Sequence, residues 1–281
     1  MENIISVKSL QKSFGKLEVL KDVTFDVKKG SIFALLGSNG AGKTTAVKIL
    51  STLILPSGGK AEICEYDVVK NATFVRKEIS LTGQFSAIDE VLTGRENLKI
   101  IGKLKRISDL DEKIKNWLTT FNLEKAADRK VIEYSGGMKR RLDIAMSLLG
   151  DPKIIFLDEP TTGLDPQSRI AMWILVKNLA KNGSTVFLTT QHLEEAEELA
   201  DEIAVLHSGR IIASGTSDHL KSIMPNRGAV INFEENNDAE KAMKILESNN
   251  IQTSGLSQKL PSLEDVFLTL IGEKKEGTDN D

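Results

Sequence analysis

Ile32-Phe-Ala-Leu-Leu-Gly-Ser-Asn-Gly-Ala-Gly-Lys-Thr-Thr45 is the stretch on which the reading of this chain turns. Its first five residues are uniformly apolar and strand-sized, the pattern of a strand buried on both faces. Two glycines, Gly37 and Gly42, then bracket four residues and are followed by Lys43-Thr44, and Lys43–Leu50 has helical composition. Strand, glycine loop and helix in that order form a phosphate cradle. Backbone N–H groups of Gly37, Ser38, Asn39, Gly40, Ala41 and Gly42 can curl around phosphate oxygens, and the helix start adds a favourable field. Lys43 is expected to reach the β- and γ-phosphates of a nucleotide and Thr44 to bind Mg2+, with Thr45 completing the cradle.

Working outward, Ile154-Ile-Phe-Leu-Asp-Glu-Pro160 is a second apolar strand, and it ends in two carboxylates. An acidic residue at a buried strand end beside a phosphate loop is the usual second holder of Mg2+, which assigns Asp158. Glu159 is placed to polarise an attacking water as general base. Tyr134-Ser-Gly-Gly-Met138 heads a basic helix, with Ser135 as its N-cap and Gly136 and Gly137 leaving amides accessible. That would be a second anion-binding helix start on one chain, although from the pentapeptide alone a capped helix without any ligand is the better reading.

Around these motifs the pattern alternates strand and helix. Ile4–Leu10 and Val23–Val27 alternate apolar and polar residues, while Thr185–Leu188 and Ile203–Leu206 are apolar runs with a hairpin partner at Ile211–Ala213. Residues 69–122 read as mostly helical with few strand signals, Met138–Leu149 has helical spacing, and Glu194–Glu202 reads as a solvated acidic helix. The sum is an α/β core with a largely parallel sheet. After about Gly215 a strand at Ala229–Phe233 and a helix at Ala239–Ser248 suggest a small α+β appendage.

Composition bounds the function. Lys and Arg number 37 against 40 Asp and Glu, a net charge of −3 that disfavours nucleic-acid binding through bulk positive charge. Hydrophobic residues at 40% and charged residues at 27% describe an ordinary globular chain. No apolar run nears the roughly 18–20 residues that span a bilayer, and Met1–Ser6 shows no secretory pattern. The single cysteine, Cys64, excludes an intrachain disulfide and fits a reducing compartment. A cytoplasmic chain is therefore expected.

In their order, the phosphate loop, the Ser-Gly-Gly signature and the Leu-Asp-Glu-Pro strand resemble the nucleotide-binding subunit of ATP-binding-cassette (ABC) transporters. Lys43 and Ser135 stand 92 positions apart, which fits that family's inserted helical subdomain. More narrowly, Leu81-Thr-Gly-Gln-Phe85, Leu92-Thr-Gly-Arg-Glu-Asn97, Thr189-Thr-Gln-His192 and Leu263-Glu-Asp-Val-Phe-Leu268 look like the daunorubicin-resistance-type subunits. The resemblance implies a P-loop cassette at 1–220 with antiparallel β and helical subdomains, the latter at about 85–150. A small appendage at 221–271 and a loose tail at 272–281 would follow.

The resemblance also implies roles. Phe14 matches the aromatic that stacks on adenine. Gln84 matches the glutamine that touches Mg2+ and the water and relays nucleotide state. Thr162-Gly-Leu-Asp165 matches the loop that crosses to a second subunit, and Arg95-Glu96 falls in the segment that faces the membrane partner. Two copies would face each other head to tail, each ATP lying between the phosphate loop of one and Ser135–Gly137 of the other. A separate integral-membrane permease would hold the assembly at the inner face of the cell membrane, for export of drug-like or lipophilic compounds. A cassette ATPase uncoupled from transport, or a weakly hydrolysing ATP-binding regulator, is the alternative.

Two departures stand out. Tyr134 and Met138 replace a leucine and a glutamine of the signature. Gln191 stands where the family places its switch histidine, and by strand alternation the neighbouring His192 points to the other face. Gln191 is expected to keep a positioning role, with Glu159 as the main catalytic group. His207 and His219 read as surface residues and Cys64 as an inert thiol.

Overall fold

Three fully apolar runs make the centre of the sheet, because strands paired in parallel and covered on both faces leave no side for water. The computed structural model describes residues 2–83, 87–222, 241–242, 244–246 and 248–249. In chain order the elements are β1 (Asn3–Phe14), β2 (Leu17–Lys28), β3 (Ile32–Leu36), α1 (Lys43–Leu50), β4 (Gly58–Ile63), β5 (Tyr66–Asp67), α2 (Ala72–Glu78) and β6 (Ile79–Thr82). There follow α3 (Gly94–Leu104), α4 (Leu110–Thr120), α5 (Gly136–Leu148), β7 (Ile154–Asp158) and α6 (Pro166–Lys181). The remainder is β8 (Thr185–Thr190), α7 (Leu193–Leu199), β9 (Glu202–His207), β10 (Arg210–Gly215) and α8 (Ser217–Ser222).

Across the sheet the order is β5-β4-β1-β2-β10-β9-β3-β8-β7-β6. From β9 to β6 the strands run parallel, whereas β1, β2, β4 and β5 pair antiparallel. This is the α/β core with an antiparallel flank that the sequence implies. Every residue of β3, β7 and β8 is buried. Phe25, Phe33, Phe187 and Phe156 form a chain through that centre, with ring centroids 5.1, 5.2 and 5.3 Å apart. Offset aromatic packing of this kind adds to the burial of the rings themselves.

The register decides where chemistry can occur. Thr82 pairs with Leu157, Asp158 with Thr189, and Thr190 with Leu36. The carboxyl ends of β6, β7, β8 and β3 therefore lie side by side, and open α/β sheets bind ligands at such an edge. Gly83, Asp158-Glu159, Gln191 and Gly37 all leave the sheet there.

Several local expectations need correction. The stretch read as helical contains β6, a four-residue strand that follows α2 without a breaker, and β4 and β5 precede it. The acidic helix is Leu193–Leu199, and Glu202 already belongs to β9. Helix α5 runs Gly136–Leu148 with Ser135 as its cap, as expected, and ends one residue before Leu149. In the appendage, 241–242, 244–246 and 248 are helical. The strand expected at Ala229–Phe233 and the tail at 272–281 lie outside the described residues. Contacts divide the chain into two compact units after Thr216.

The signature departure at Tyr134 has a structural reason. Its hydroxyl donates to the Ala126 carbonyl at 2.6 Å, anchoring the segment that leads into α5. A Cβ built on Gly94 would stand 2.4 Å from that hydroxyl oxygen, so the Leu92-Thr-Gly element and the tyrosine fit each other. Burial pushes the Tyr134 phenol pKa up, which keeps it a donor. Gly94→Ala should destabilise the fold by about 1–3 kcal/mol through overpacking. The loss should shrink when Tyr134→Phe is combined with it, as urea denaturation midpoints of the single and double variants will show.

Candidate active site

Helix α1 begins without a side-chain cap. Its N-cap is Gly42, in the left-handed region at φ 112°, and its first turn carries no acidic residue. By contrast, Thr93, Ser135 and Asp165 accept first-turn amides at the starts of α3, α5 and α6. The uncapped amides of α1 are donors in need of an acceptor, and the helix field favours an anion. A residue with a Cβ at position 42 would meet Leu20 at 2.6 Å, so only glycine supports this turn.

Lys43 folds back over the loop. Its ammonium donates to the carbonyls of Gly37 (2.8 Å) and Ser38 (3.2 Å) and pairs with Glu159 Oε1 at 3.3 Å. Both side chains are nearly enclosed, 4% and 8% exposed. The Thr44 hydroxyl stands 3.4 Å from Asp158 Oδ1, joining the first turn of α1 to the end of β7. Thr45 follows on α1, partly exposed. Lys43, Thr44, Asp158 and Glu159 are thus brought together as the sequence implied.

Thr189 was not singled out in the sequence, yet it holds this cluster. Its hydroxyl donates to Asp158 Oδ1 by a short hydrogen bond. The same oxygen accepts the Glu159 amide at 3.1 Å, and the Thr189 carbonyl accepts that amide as well. A fully buried threonine at a strand end, opposite an aspartate in the register, is the sequence trace it leaves. Glu159 itself has φ 49°, a left-handed conformation that costs a non-glycine residue about 1–3 kcal/mol and persists only where neighbours over-determine it. The Thr162 hydroxyl donates to its Oε2 at 3.2 Å, tying the expected crossing loop to the carboxylate.

Beyond this centre the expected residues scatter. Phe14 ends β1, half exposed, with the Lys12 ammonium 4.9 Å from its ring centroid. Gln84 lies outside the described residues. Gln191 follows β8 half-buried, and His192 is exposed, its amide donating to Thr190 Oγ1 at 2.9 Å. Gln191 stands in a bend just past the end of β8. Ser135 and Gly136 are exposed, and no hydrogen bond among the described residues joins them to the phosphate loop. Gly137 is different, because a Cβ there would meet Ser168 Oγ at 2.5 Å, just past Asp165. Within this chain, then, the signature start packs on the first turn of α6 through Ser168.

Arg95 is engaged by Asp128 at 2.7 and 3.1 Å and Glu96 completes a capping box with Thr93, so both have partners in their own chain. In the acidic helix, Glu195 is fully buried rather than solvated. The Thr161 hydroxyl (2.7 Å) and the Trp173 indole (3.3 Å) both donate to its Oε1, while Oε2 is buried with no hydrogen-bond partner among the described residues. Burial raises the Cys64 thiol pKa, consistent with an unreactive side chain.

A profile of the family described as ABC transporter matches residues 20–162. The chain is 38% identical over 312 residues to the daunorubicin resistance ATP-binding protein DrrA2 of Streptomyces coeruleorubidus, spanning 98% of this chain and 97% of that protein. Among solved structures, an ATP-binding subunit of an ABC transporter superposes with a TM-score of 0.73 at 26% identity, over 95% of this chain and 99% of that one. A dimeric ATP-binding cassette in a post-hydrolysis state, bound to ADP and phosphate, gives 0.67 at 25% identity over 75% and 98%. The sheet, the phosphate loop and the flanking helices are thus those of an α/β P-loop NTPase. With more than half of its residues inside the profile and a relative matched nearly end to end, this chain belongs to the ABC transporter family.

Proposed function

We propose that this chain binds and hydrolyses ATP and thereby energises a separate integral-membrane permease that exports drug-like, lipophilic compounds. One observation carries the reading: an uncapped helix start and a lysine face two carboxylates at the shared edge of β3, β7 and β8. The relative's name, which reports daunorubicin resistance and ATP binding, supports a role in handling a drug. No described helix is long and apolar enough to cross a membrane, so the pore is assigned to another chain. Attachment to that permease would place this subunit at the inner face of the membrane.

The phosphates would lie on the amides of Gly40–Thr45, with Lys43 on the β- and γ-oxygens. Phe14 offers a half-open ring for adenine. Thr44 and Asp158 are hard oxygen donors 3.4 Å apart, a set that suits Mg2+, with Gln84 as a further ligand. Bound there, the ion would offset charge on the bridging and γ-oxygens. Glu159 takes the proton of the attacking water as the new P–O bond forms and the β–γ bridge breaks, releasing ADP and phosphate. Gln191 donates a hydrogen bond towards the γ-phosphate, and Ser135, Gly136 and Gly137 of a second copy would close the site head to tail. The dimeric cassette with ADP and phosphate supports a pairing of two copies.

Glu159→Gln should lower steady-state phosphate release by about 10²–10⁴-fold while leaving ATP binding intact. ATP should then drive the variant into a dimer on size-exclusion chromatography, and unchanged turnover would refute the assignment. Thr189→Val, which removes the donor to Asp158 and the acceptor for the Glu159 amide, should raise the Mg2+ concentration needed for half-maximal activity by about 10–100-fold. Gln191→Ala should slow turnover by roughly tenfold, the worth of a hydrogen bond to a charged group, with His192→Ala near wild type. Loss of turnover in His192→Ala alone would reverse that assignment.

A further inference from the structure

Arg140 lies on α5, one turn beyond the helix start that Ser135 caps, and its side chain is only 13% exposed. Its guanidinium is used on three carbonyls. Nε donates to Pro160 O at 3.2 Å, Nη2 to Asp158 O at 3.1 Å and Nη1 to Gly83 O at 2.7 Å. The carbonyls of Asp158 and Pro160 flank Glu159 on either side, and Glu159 is the residue held at φ 49°. Three residues further along α5, Asp143 faces Arg140 at 3.5 Å and accepts the Ala87 amide at 3.3 Å. Burial lowers the Arg140 pKa, with Asp143, Asp158 and Glu195 opposing the shift.

This arrangement has no counterpart on the neighbouring basic residues. Lys139 pairs with Glu90 at 2.6 Å, and Arg141 donates to Phe121 O at 2.9 Å, so neither reaches the ends of the sheet. A planar fork with donors at fixed angles can hold three carbonyls at once, which a lysine ammonium cannot reproduce in the same place. Residues in unfavourable backbone regions persist only where the surroundings over-determine them, and Arg140 supplies two of those restraints.

We propose that Arg140 is the positioning residue that fixes the Glu159 turn, so that the carboxylate's aim at the attacking water depends on how α5 sits against the sheet. It rests on the reading that Glu159 is the general base. Arg140 touches neither the phosphate loop nor Thr44 among the described contacts, so nucleotide binding is left to those elements. The effect falls on the chemical step.

Steady-state kinetics of full-length Arg140→Met, Arg140→Lys, Glu159→Gln and Arg140→Met/Glu159→Gln test this, with single-turnover assays for the slow variants. Arg140→Met should lower kcat by roughly tenfold or more, since a small misplacement of a catalytic group is costly. Its KM for ATP should stay within about threefold of wild type, as expected when an interaction acts on the transition state. Arg140→Lys, which keeps the charge and loses the fork, should fall between the two. The double variant should be no more than about twofold slower than Glu159→Gln, because Arg140 acts through that carboxylate. If Arg140→Met does not fold, Arg140→Lys decides by the same kcat-against-KM split. Unchanged kcat in the folded variants, or equal losses with and without Glu159, would overturn the proposal. Full turnover in Glu159→Gln would instead remove the general-base reading itself.

Discussion

A carboxylate buried at a strand end is costly unless donors meet it, and the candidate site is arranged around that requirement at Asp158. Thr189 donates to it across the β7–β8 pair, and Thr44 approaches from the first turn of α1. Both contacts depend on the parallel register, which sets Asp158 opposite Thr189 and Leu36 opposite Thr190. A slip of one residue would turn Thr189 to the other face of the sheet and leave Asp158 without its buried donor. The phosphate loop inherits its place from the same register, because Gly37 donates to the Thr190 carbonyl at 3.1 Å as β3 ends.

The helical part is keyed to that edge by polar contacts rather than by apolar packing alone. Arg140 reaches three carbonyls at the ends of β6 and β7, and Gly137 closes on Ser168. At the far end of α5, Lys105 donates to the carbonyls of Ser147 (3.1 Å) and Leu149 (2.6 Å), satisfying groups that a helix end leaves open. Tyr134 fixes the approach to α5 through Ala126. The signature segment is thereby held as one piece with Glu159, although among the described residues no hydrogen bond joins it to the phosphate loop of its own chain.

What the sequence made legible was local. A glycine loop between an apolar run and a helix carries its chemistry within nine residues, and Asp158-Glu159 sits at the end of a run whose burial is evident from composition. Contacts between distant positions left no such trace. Glu195 reads as one acid among several on a solvated helix, because Thr161 and Trp173, the groups that permit its burial, stand 34 and 22 positions away. Arg140 is one of three consecutive basic residues, and only the fold tells the buried one apart. Strand β6 is hard to read because its alternation, Ile79-Ser-Leu-Thr82, lasts only four residues and follows a helix with no breaker between them.

The charge balance at the edge of the sheet bears on why one copy would be insufficient. Lys43 pairs with Glu159, and the Asp158 carboxylate is met by the neutral hydroxyls of Thr189 and Thr44, so these three side chains set two acids against one base. A triphosphate added there brings several more negative charges, and Gln191 in place of a histidine cannot contribute a positive charge. A divalent ion and the amides of α1 offset part of this. The remainder calls for further positive field from outside the chain, where counterions are screened and water must be excluded. The start of α5 has the required character: its first turn holds no acidic residue, and Ser135 and Gly136 are exposed. The exposed start of α5, whose Ser135 cap engages the Met138 amide, and a nucleotide site rich in acids would be complementary surfaces of the two-fold pair proposed above. The coupling of α5 to Glu159 would then let the nucleotide of one site bear on the base of the other.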